Sequence, residues 1–263
     1  NIEKLKSYGF DIIEPATGML ACQDVGSGKL PEPQVILDYI CKEIACEKDM
    51  AGMKVTVTAG PTQEALDPVR YITNHSSGKM GYSVARAAML RGAEVTLISG
   101  PVALEPVPFV NMVNVSTAKE MLEAIKESLP ETDILVKSAA VADYRPAIVR
   151  ENKMKKSDNN SDLTLPLERT DDILGWVKDN KREGQIICGF SMETTNLIEN
   201  SRAKLVKKGL DMICANSLKV TGAGFGGNTN VVTLIKKDDI KELELMSKDQ
   251  VAHEIFNALI EKK

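Results

Sequence analysis

The chain has 263 residues, enough for one large domain or two small ones with a real core. Apolar residues make up 43% and charged residues 27%, the balance of an ordinary globular fold, and no apolar run approaches the ~20 residues of a membrane span. Lys and Arg total 33 against 37 Asp and Glu; the net charge of -4 excludes a global pull toward nucleic acid or anionic membrane, so any polyanion site must be local.

The first clear element is a buried strand over residues 53–60. The loop over residues 61–73 is too long for a simple connector, and such loops tend to carry binding residues. Asn74-His75-Ser76-Ser77-Gly78-Lys79-Met80-Gly81 then leads into an alanine-rich helix over residues 81–90. Serine hydroxyls, a small Gly78 and the positive end of a helix make this a cradle for phosphate or carboxylate. A turn followed by a capped helix is the alternative. It is not a Walker loop, because Thr73 and Met80 stand where that pattern needs Gly and Ser or Thr. G-x-G-x-x-G is missing too, since Gly60 is followed by Pro61 and the long loop.

Strands and helices then alternate. Residues 94–99 and 109–116 read as strands, and Thr117 with Glu120 forms a capping box that opens a helix to about residue 129. Residues 133–138, 185–190 and 211–215 are further strands; residues 171–180 and 195–208 are helical. This order predicts an α/β, Rossmann-like fold with a mainly parallel sheet and helices on both faces. Residues 230–235 and 240–246 predict a C-terminal antiparallel hairpin, and a last helix runs from Ser247, with Gln250 at the capping-box position, to about residue 260. Residues 149–162 are polar and aperiodic, which predicts a mobile loop, and the Gly-rich run over residues 222–227 reads as a surface connection.

Ser138-Ala139-Ala140-Val141-Ala142-Asp143 leaves a strand at its carboxyl end, where open α/β sheets bind ligands. Asp143 could cap a turn or help hold a metal. Lys153, Lys155 and Lys156 form either a solvated face or a lid that brings charge onto reacting phosphates. Lys204, Lys207 and Lys208 fall on adjacent turns of one helix. Phe190, at a strand end, suits core packing or contact with a base. The cysteines Cys22, Cys41, Cys46, Cys188 and Cys214 lack zinc spacing and fit reduced thiols in the cytoplasm.

Several motifs in register are more specific than any of these alone. Ala59-Gly60-Pro61-Thr62, Leu66-Asp67-Pro68-Val69-Arg70-Tyr71-Ile72, residues 74–81, Ser99-Gly100-Pro101, Ala139-Ala140-Val141-Ala142-Asp143-Tyr144, Lys153-Met154-Lys155-Lys156, Gly189-Phe190 with Glu193-Thr194, and Cys214-Ala215-Asn216 closely resemble phosphopantothenate–cysteine ligase, also called phosphopantothenoylcysteine synthetase. The resemblance implies a step of coenzyme A biosynthesis: 4'-phosphopantothenate and L-cysteine are joined through an acyl-cytidylate, with CTP consumed and pyrophosphate and CMP released. It implies Asn74 and Lys153 as catalytic residues, and Arg70, Ser76, Ser77, Gly78 and Ala140 at the acyl substrate, with Arg70 a clamp for its phosphate. Lys137, Ser138, Ala139, Asp143, Lys153, Asp171, Asp172, Ile173, Leu174, Phe190, Lys204 and Lys208 would meet the nucleotide, with Asp143 also at Mg2+. A homodimer is implied as well. Ser191-Met192 stands where many relatives have Ala-Ala, and Asp171 replaces a common proline.

Glu14-Pro15, Gly18, Leu20-Ala21-Cys22, Asp24-Val25-Gly26, Gly28-Lys29 and Glu32-Pro33 resemble the C-terminal substrate flap of phosphopantothenoylcysteine decarboxylase. Residues 1–47 would then be the end of a decarboxylase domain with its linker, and residues 48–263 the synthetase domain. Cys22 matches the proton-donating cysteine of that flap, and FMN would serve only the missing decarboxylase part, so decarboxylation by this chain alone is not expected. Two rivals are a nicotinamide-dependent reductase and a nucleotide-binding module without turnover. None of the five tyrosines is followed by Lys at the fourth position, a point against the reductase.

Overall fold

A computed structural model describes residues 1–20, 23–155, 164–193, 195–217 and 226–260. The chain divides into two compact units, Asn1–Lys48 and Asp49–Lys263. The first holds a short helix Ile2–Ser7, an antiparallel hairpin of Ala16–Met19 with Val25–Lys29, and a helix Pro33–Ile44 that starts on proline, where a missing N–H is harmless.

The second unit is built on an eight-stranded sheet. Its strands are β1 (Lys54–Ala59), β2 (Glu94–Ser99), β3 (Asn111–Asn114), β4 (Ile134–Lys137), β5 (Ile186–Glu193), β6 (Met212–Ser217), β7 (Val232–Ile235) and β8 (Ile240–Glu242). They lie in the order β8-β7-β6-β5-β4-β1-β2-β3. β1 to β6 are parallel; β7 runs antiparallel to β6, and β8 to β7. The parallel part has the doubly wound order, with the strand sequence reversing between β1 and β4.

Helices α1 (Lys79–Leu90) and α5 (Lys248–Ile260) cover one face; α2 (Ala118–Ser128), α3 (Ile173–Asn180) and α4 (Leu197–Lys208) cover the other. Successive strand residues point to opposite faces, so burial on both sides demands unbroken apolar runs. In β4, Ile134 and Val136 join the core under α1 and α5, whereas Leu135 joins the one under α2, α3 and α4. Thr56 and Thr58 are the polar exceptions in β1, and both are satisfied: Thr56 Oγ1 lies 2.7 Å from Thr132 Oγ1, and Thr58 Oγ1 accepts from the Ala139 N–H at 3.2 Å.

The expected α/β architecture is present, with local differences. The segment 61–73 is not irregular: Gln63–Ala65 and Tyr71–Thr73 pair as a hairpin. Its turn closes because the Asp67 carboxylate accepts from the N–H groups of Val69 at 2.8 Å and Arg70 at 2.9 Å. A second small pair, Tyr144–Pro146 with Leu167–Arg169, has strands too short to show alternation in sequence. The strand expected over 109–116 shortens to Asn111–Asn114, with Phe109 at φ 62 before it. Within the expected mobile loop, the Arg150 N–H donates to Leu66 O at 3.0 Å and the Met154 N–H to Asp67, so the part up to residue 155 is fastened. Residues 156–162, and 222–225 of the Gly-rich run, lie outside the described residues. Among the described residues no helix is long and apolar enough to cross a membrane.

Candidate functional site

The strand order reverses between β1 and β4, and there the loops leaving the two strands are stitched together. Pro61 and Ala140 form a parallel bridge; the Ala140 N–H donates to Gly60 O at 2.9 Å, and the Ala142 N–H to Thr62 Oγ1 at 3.0 Å. Two glycines bring the start of α1 onto this point. Gly78 precedes the helix at φ 75, and a Cβ there would sit 2.8 Å from Val102 Cγ1. A Cβ at Gly81 would sit 2.5 Å from the Ala59 Cβ, so the first turn lies directly on the end of β1. Among the described residues no side chain caps α1, and an uncapped helix start of this kind suits an anionic ligand.

Two cavities meet here. One, of about 410 Å³, lies among the loop after β4, the start of α3, and α4; it is lined by Asp143, Asp171, Asp172, Ile173, Leu174 and Lys208, with others. The second, of about 280 Å³, is lined by residues 76–81, 138–141 and 190–192 together with Asn216, Asn230 and Lys248. Lys137, Val141, Asp143 and Lys204 line both.

Cations dominate the junction. Burial, reinforced by the Lys204 charge, lowers the Lys137 ammonium to about 8, and its Nζ lies 3.5 Å from Ala139 O. Burial also lowers Lys204, whose Nζ donates to Phe190 O at 2.8 Å. Lys208 pairs with the carboxylate of Asp172, which also caps α3 by accepting from the Gly175 N–H at 3.0 Å. Burial pushes the Asp172 carboxyl up, but Lys208 and the Gly175 N–H outweigh it and hold the group below its usual range.

The structure therefore gathers Ser76, Ser77, Gly78 and Ala140 with Lys137, Ser138, Ala139, Asp143, Phe190 and Lys204, and places Asp171, Asp172, Ile173, Leu174 and Lys208 next door. Asn74, Arg70 and Lys153 line neither cavity. Asn74 Nδ2 is 3.2 Å from both Ala140 O and Val141 O, which fixes its amide beside the loop after β4. Arg70 Nη2 donates to Met154 O at 2.6 Å and its Nε lies 3.6 Å from Asp67 Oδ2, so part of the expected clamp is spent on holding the Lys153 segment. Lys153 itself is exposed. Cys22 lies outside the described residues.

Four residues at or near this site carry no role in the sequence reading: Asp67 and Asn216, which stand there only as motif residues, and Asn230 and Lys248. Asn216 lies at the carboxyl end of β6, the kind of position that singled out Phe190 at β5, and the same rule could have found it. Lys248, at the start of α5, is 5% exposed; burial and then the Lys79 charge lower its ammonium.

Residues 50–262 match the family described as the DNA/pantothenate metabolism flavoprotein C-terminal domain. The chain belongs to this family. Residues 1–45 match a second family, described as flavoprotein. Among relatives of the flavoprotein C-terminal domain, the coenzyme A biosynthesis bifunctional protein CoaBC of Bacillus subtilis is 46% identical over 263 residues, covering 98% of this chain and 64% of that protein. The protein of the same name from Vibrio vulnificus is 43% identical over 259 residues, with the same 98% and 64%. This chain thus spans just under two thirds of their length. The crystal structure of the C-terminal domain of a CoaBC superposes with a TM-score of 0.68 at 42% identity, over 80% of this chain and 94% of that one. The DNA/pantothenate metabolism flavoprotein from Streptococcus pneumoniae also gives 0.68, at 27% identity, over 79% and 98%.

Proposed function

We propose that this chain carries out the phosphopantothenate–cysteine ligase step of coenzyme A biosynthesis, using CTP. The observation that carries the reading is the pair of cavities sharing Lys137, Asp143 and Lys204 at the switch point. A nucleotide in the larger and an acyl substrate in the smaller would bring their reacting ends to that shared wall.

In this reading the substrate carboxylate attacks the α-phosphorus of CTP. A carbon-bound oxygen joins phosphorus, and the bond to pyrophosphate breaks with its electron pair on the leaving group. Lys137 and Lys204 stabilise the charge that moves. The neutral amine of cysteine then attacks the acyl carbon, forms the C–N bond, loses a proton and expels CMP. Ser76, Ser77 and the uncapped start of α1 bind an anionic end of the acyl substrate, and Asn74 holds the acyl-nucleotide without adding charge. Lys153 supplies a further cation from its own loop.

No group of three or more metal-ligating side chains is found among the described residues. Asp143 and Asp171, in one cavity, fit an ion held by one or two carboxylates plus phosphate oxygens, which is how Mg2+ commonly binds. There it would neutralise phosphate charge. We assign neither FMN nor decarboxylation to residues 1–48; Cys22 keeps its proposed role only alongside a flavin-binding body.

The doubly wound order also suits a nicotinamide cofactor, so the test sets the two against each other. CTP with Mg2+ should raise the melting temperature and NADPH should not. Pyrophosphate should then appear only when 4'-phosphopantothenate is added. Stabilisation by NADPH alone would favour the reductase, and CTP binding without pyrophosphate would favour a non-catalytic module.

A further inference from the structure

Thr170 lines the larger cavity, and the mechanism above gives it no task. It stands between the strand Leu167–Arg169 and Asp171, the residue before the N-cap of α3. A threonine just ahead of a helix commonly turns its hydroxyl to the N–H groups of that helix. Here Asp172 does the capping, by accepting from the Gly175 N–H. The Thr170 hydroxyl reaches instead across 28 residues of sequence and donates to Ala142 O at 2.6 Å.

The Thr170 N–H donates to the next carbonyl along, Asp143 O, at 3.1 Å. The Ala142 carbonyl belongs to the peptide before the Asp143 Cα, and the Asp143 carbonyl to the peptide after it. One residue therefore holds both peptide planes that flank Asp143, which fixes its φ and ψ. From the other side, the Ala142 N–H donates at 3.0 Å to Oγ1 of Thr62, a fully buried residue of the Ala59-Gly60-Pro61-Thr62 motif. An aspartate side chain is short, so where its carboxylate can stand follows closely from its backbone. Asp143 lines both cavities, and Asp171 directly follows Thr170 in the chain. The same contact thus sets the backbone of one carboxylate against that of the other.

We propose that Thr170 is a positioning residue of the ligation, its hydroxyl fixing the backbone of Asp143 so that the carboxylate stands at the wall the two cavities share. The assignment rests on the ligase reading. Thr62 supports the same stretch of backbone from the loop after β1. In this role Thr170 touches no reacting atom. Its effect passes through Asp143, which separates it from a residue that only holds the fold.

The experiment is a double-mutant cycle of Thr170→Val and Asp143→Asn on the whole chain, with Thr170→Ser as the conservative variant. Valine keeps the shape and the N–H and removes only the hydroxyl donor. Pyrophosphate release gives kcat and each KM, calorimetry gives the Kd of CTP with Mg2+, and melting temperatures report the fold. Thr170→Val should lower kcat about 10-fold or more, the scale of a misplaced reacting group, and Thr170→Ser should recover most of it. In the Asp143→Asn background, adding Thr170→Val should lower the rate no further. If Asp143→Asn leaves no measurable turnover, the Kd of CTP with Mg2+ is read through the same cycle: Thr170→Val should raise it alone and not beside Asp143→Asn. A wild-type kcat in a folded Thr170→Val protein overturns the assignment. So does a Thr170→Ser protein as slow as Thr170→Val, or losses that multiply in the double variant, the mark of a role that does not pass through Asp143. If Thr170→Val does not fold, Thr170→Ala, which removes the hydroxyl and adds no bulk, is read in the same way. A wild-type chain that releases no pyrophosphate overturns the ligase reading along with this one.

Discussion

The Asp67 carboxylate accepts a hydrogen bond from the backbone N–H of Met154 at 3.1 Å, across 87 residues of sequence. Its side chain is closed to solvent, and it also takes the N–H groups of Val69 and Arg70. Arg70 returns the connection by donating to Met154 O at 2.6 Å. One carboxylate therefore closes the turn of the first hairpin and fastens the residue beside Lys153. A lysine whose chain neighbour is anchored can present its charge in a more defined place than one on a free tail.

Asp67→Asn should loosen that anchor, because the amide has one acceptor oxygen where the carboxylate has two. The expected result is a fall in ligation on the order of 10- to 100-fold, the scale of a misplaced reacting group, with CTP binding largely kept. Hydrogen exchange at the Met154 amide should speed up. Normal turnover with unaltered exchange would strip Asp67 of its positioning role.

The same anchor predicts a pH dependence. The Met154 N–H, helped by those of Val69 and Arg70 and opposed by burial, holds the Asp67 carboxyl below its ordinary 3.8. A depressed folded pKa contributes stability that is complete above the unfolded value and is lost as pH falls through the folded one. Protection of the Met154 amide, corrected for intrinsic exchange, should hold steady from neutrality to about pH 4 and fall below it. In Asp67→Asn that acid step should vanish; its survival there would assign the step to another group.

Gly81→Ala tests the approach of α1 to the sheet. The added carbon would meet the Ala59 Cβ at 2.5 Å, with the Ala59 Cα and Thr58 O both at 3.1 Å, none of them the end of a flexible side chain. The helix must back away. Overpacking of this kind costs about 1–3 kcal/mol, so the melting temperature should drop and 4'-phosphopantothenate should bind more weakly than the fold loss alone explains. A variant with wild-type stability would show that the helix end has room to move.

Which features could be read from sequence follows from their physics. Burial on both faces makes β4 and the first half of β5 apolar runs, and the Thr117–Glu120 and Ser247–Gln250 capping boxes both form as their spacing implies. Residues 138–143 were placed correctly at a strand end because ligand sites of open sheets lie there by topology. The two hairpins of three-residue strands carry too few residues for a period to show. The link from Asp67 to Met154 is purely tertiary and leaves no local trace. Asn216 reads as any polar residue after a strand until β7, antiparallel to β6, brings Asn230 against it.

Asn74→Asp should impair formation of the acyl-cytidylate. Asn74 Nδ2 is within 3.2 Å of the Ala140 and Val141 carbonyl oxygens; a carboxylate has no donor for them and would face two acceptors. The change also brings negative charge toward a phosphate. Single-turnover measurement should show slow intermediate formation in a folded protein. Near-normal synthesis would remove Asn74 from the mechanism.

Lys153→Gln separates chemistry from folding most cleanly. The side chain is exposed and lines neither cavity, so removing its charge should shift stability by no more than about 0.5 kcal/mol, the usual range for surface substitutions. The next residue is different: Met154 is 9% exposed and bonded to Asp67, and it keeps the backbone in place whatever stands at 153. A loss of rate in the variant would therefore report the missing ammonium and not a detached loop. Loss of one preorganised charge contact commonly costs on the order of 10²-fold in rate. CTP affinity and melting temperature should stay near wild type while single-turnover formation of the acyl-cytidylate slows by that factor. If the intermediate forms at the wild-type rate, Lys153 is one more solvated lysine on a tethered loop, and the cations of the reaction are Lys137 and Lys204 alone.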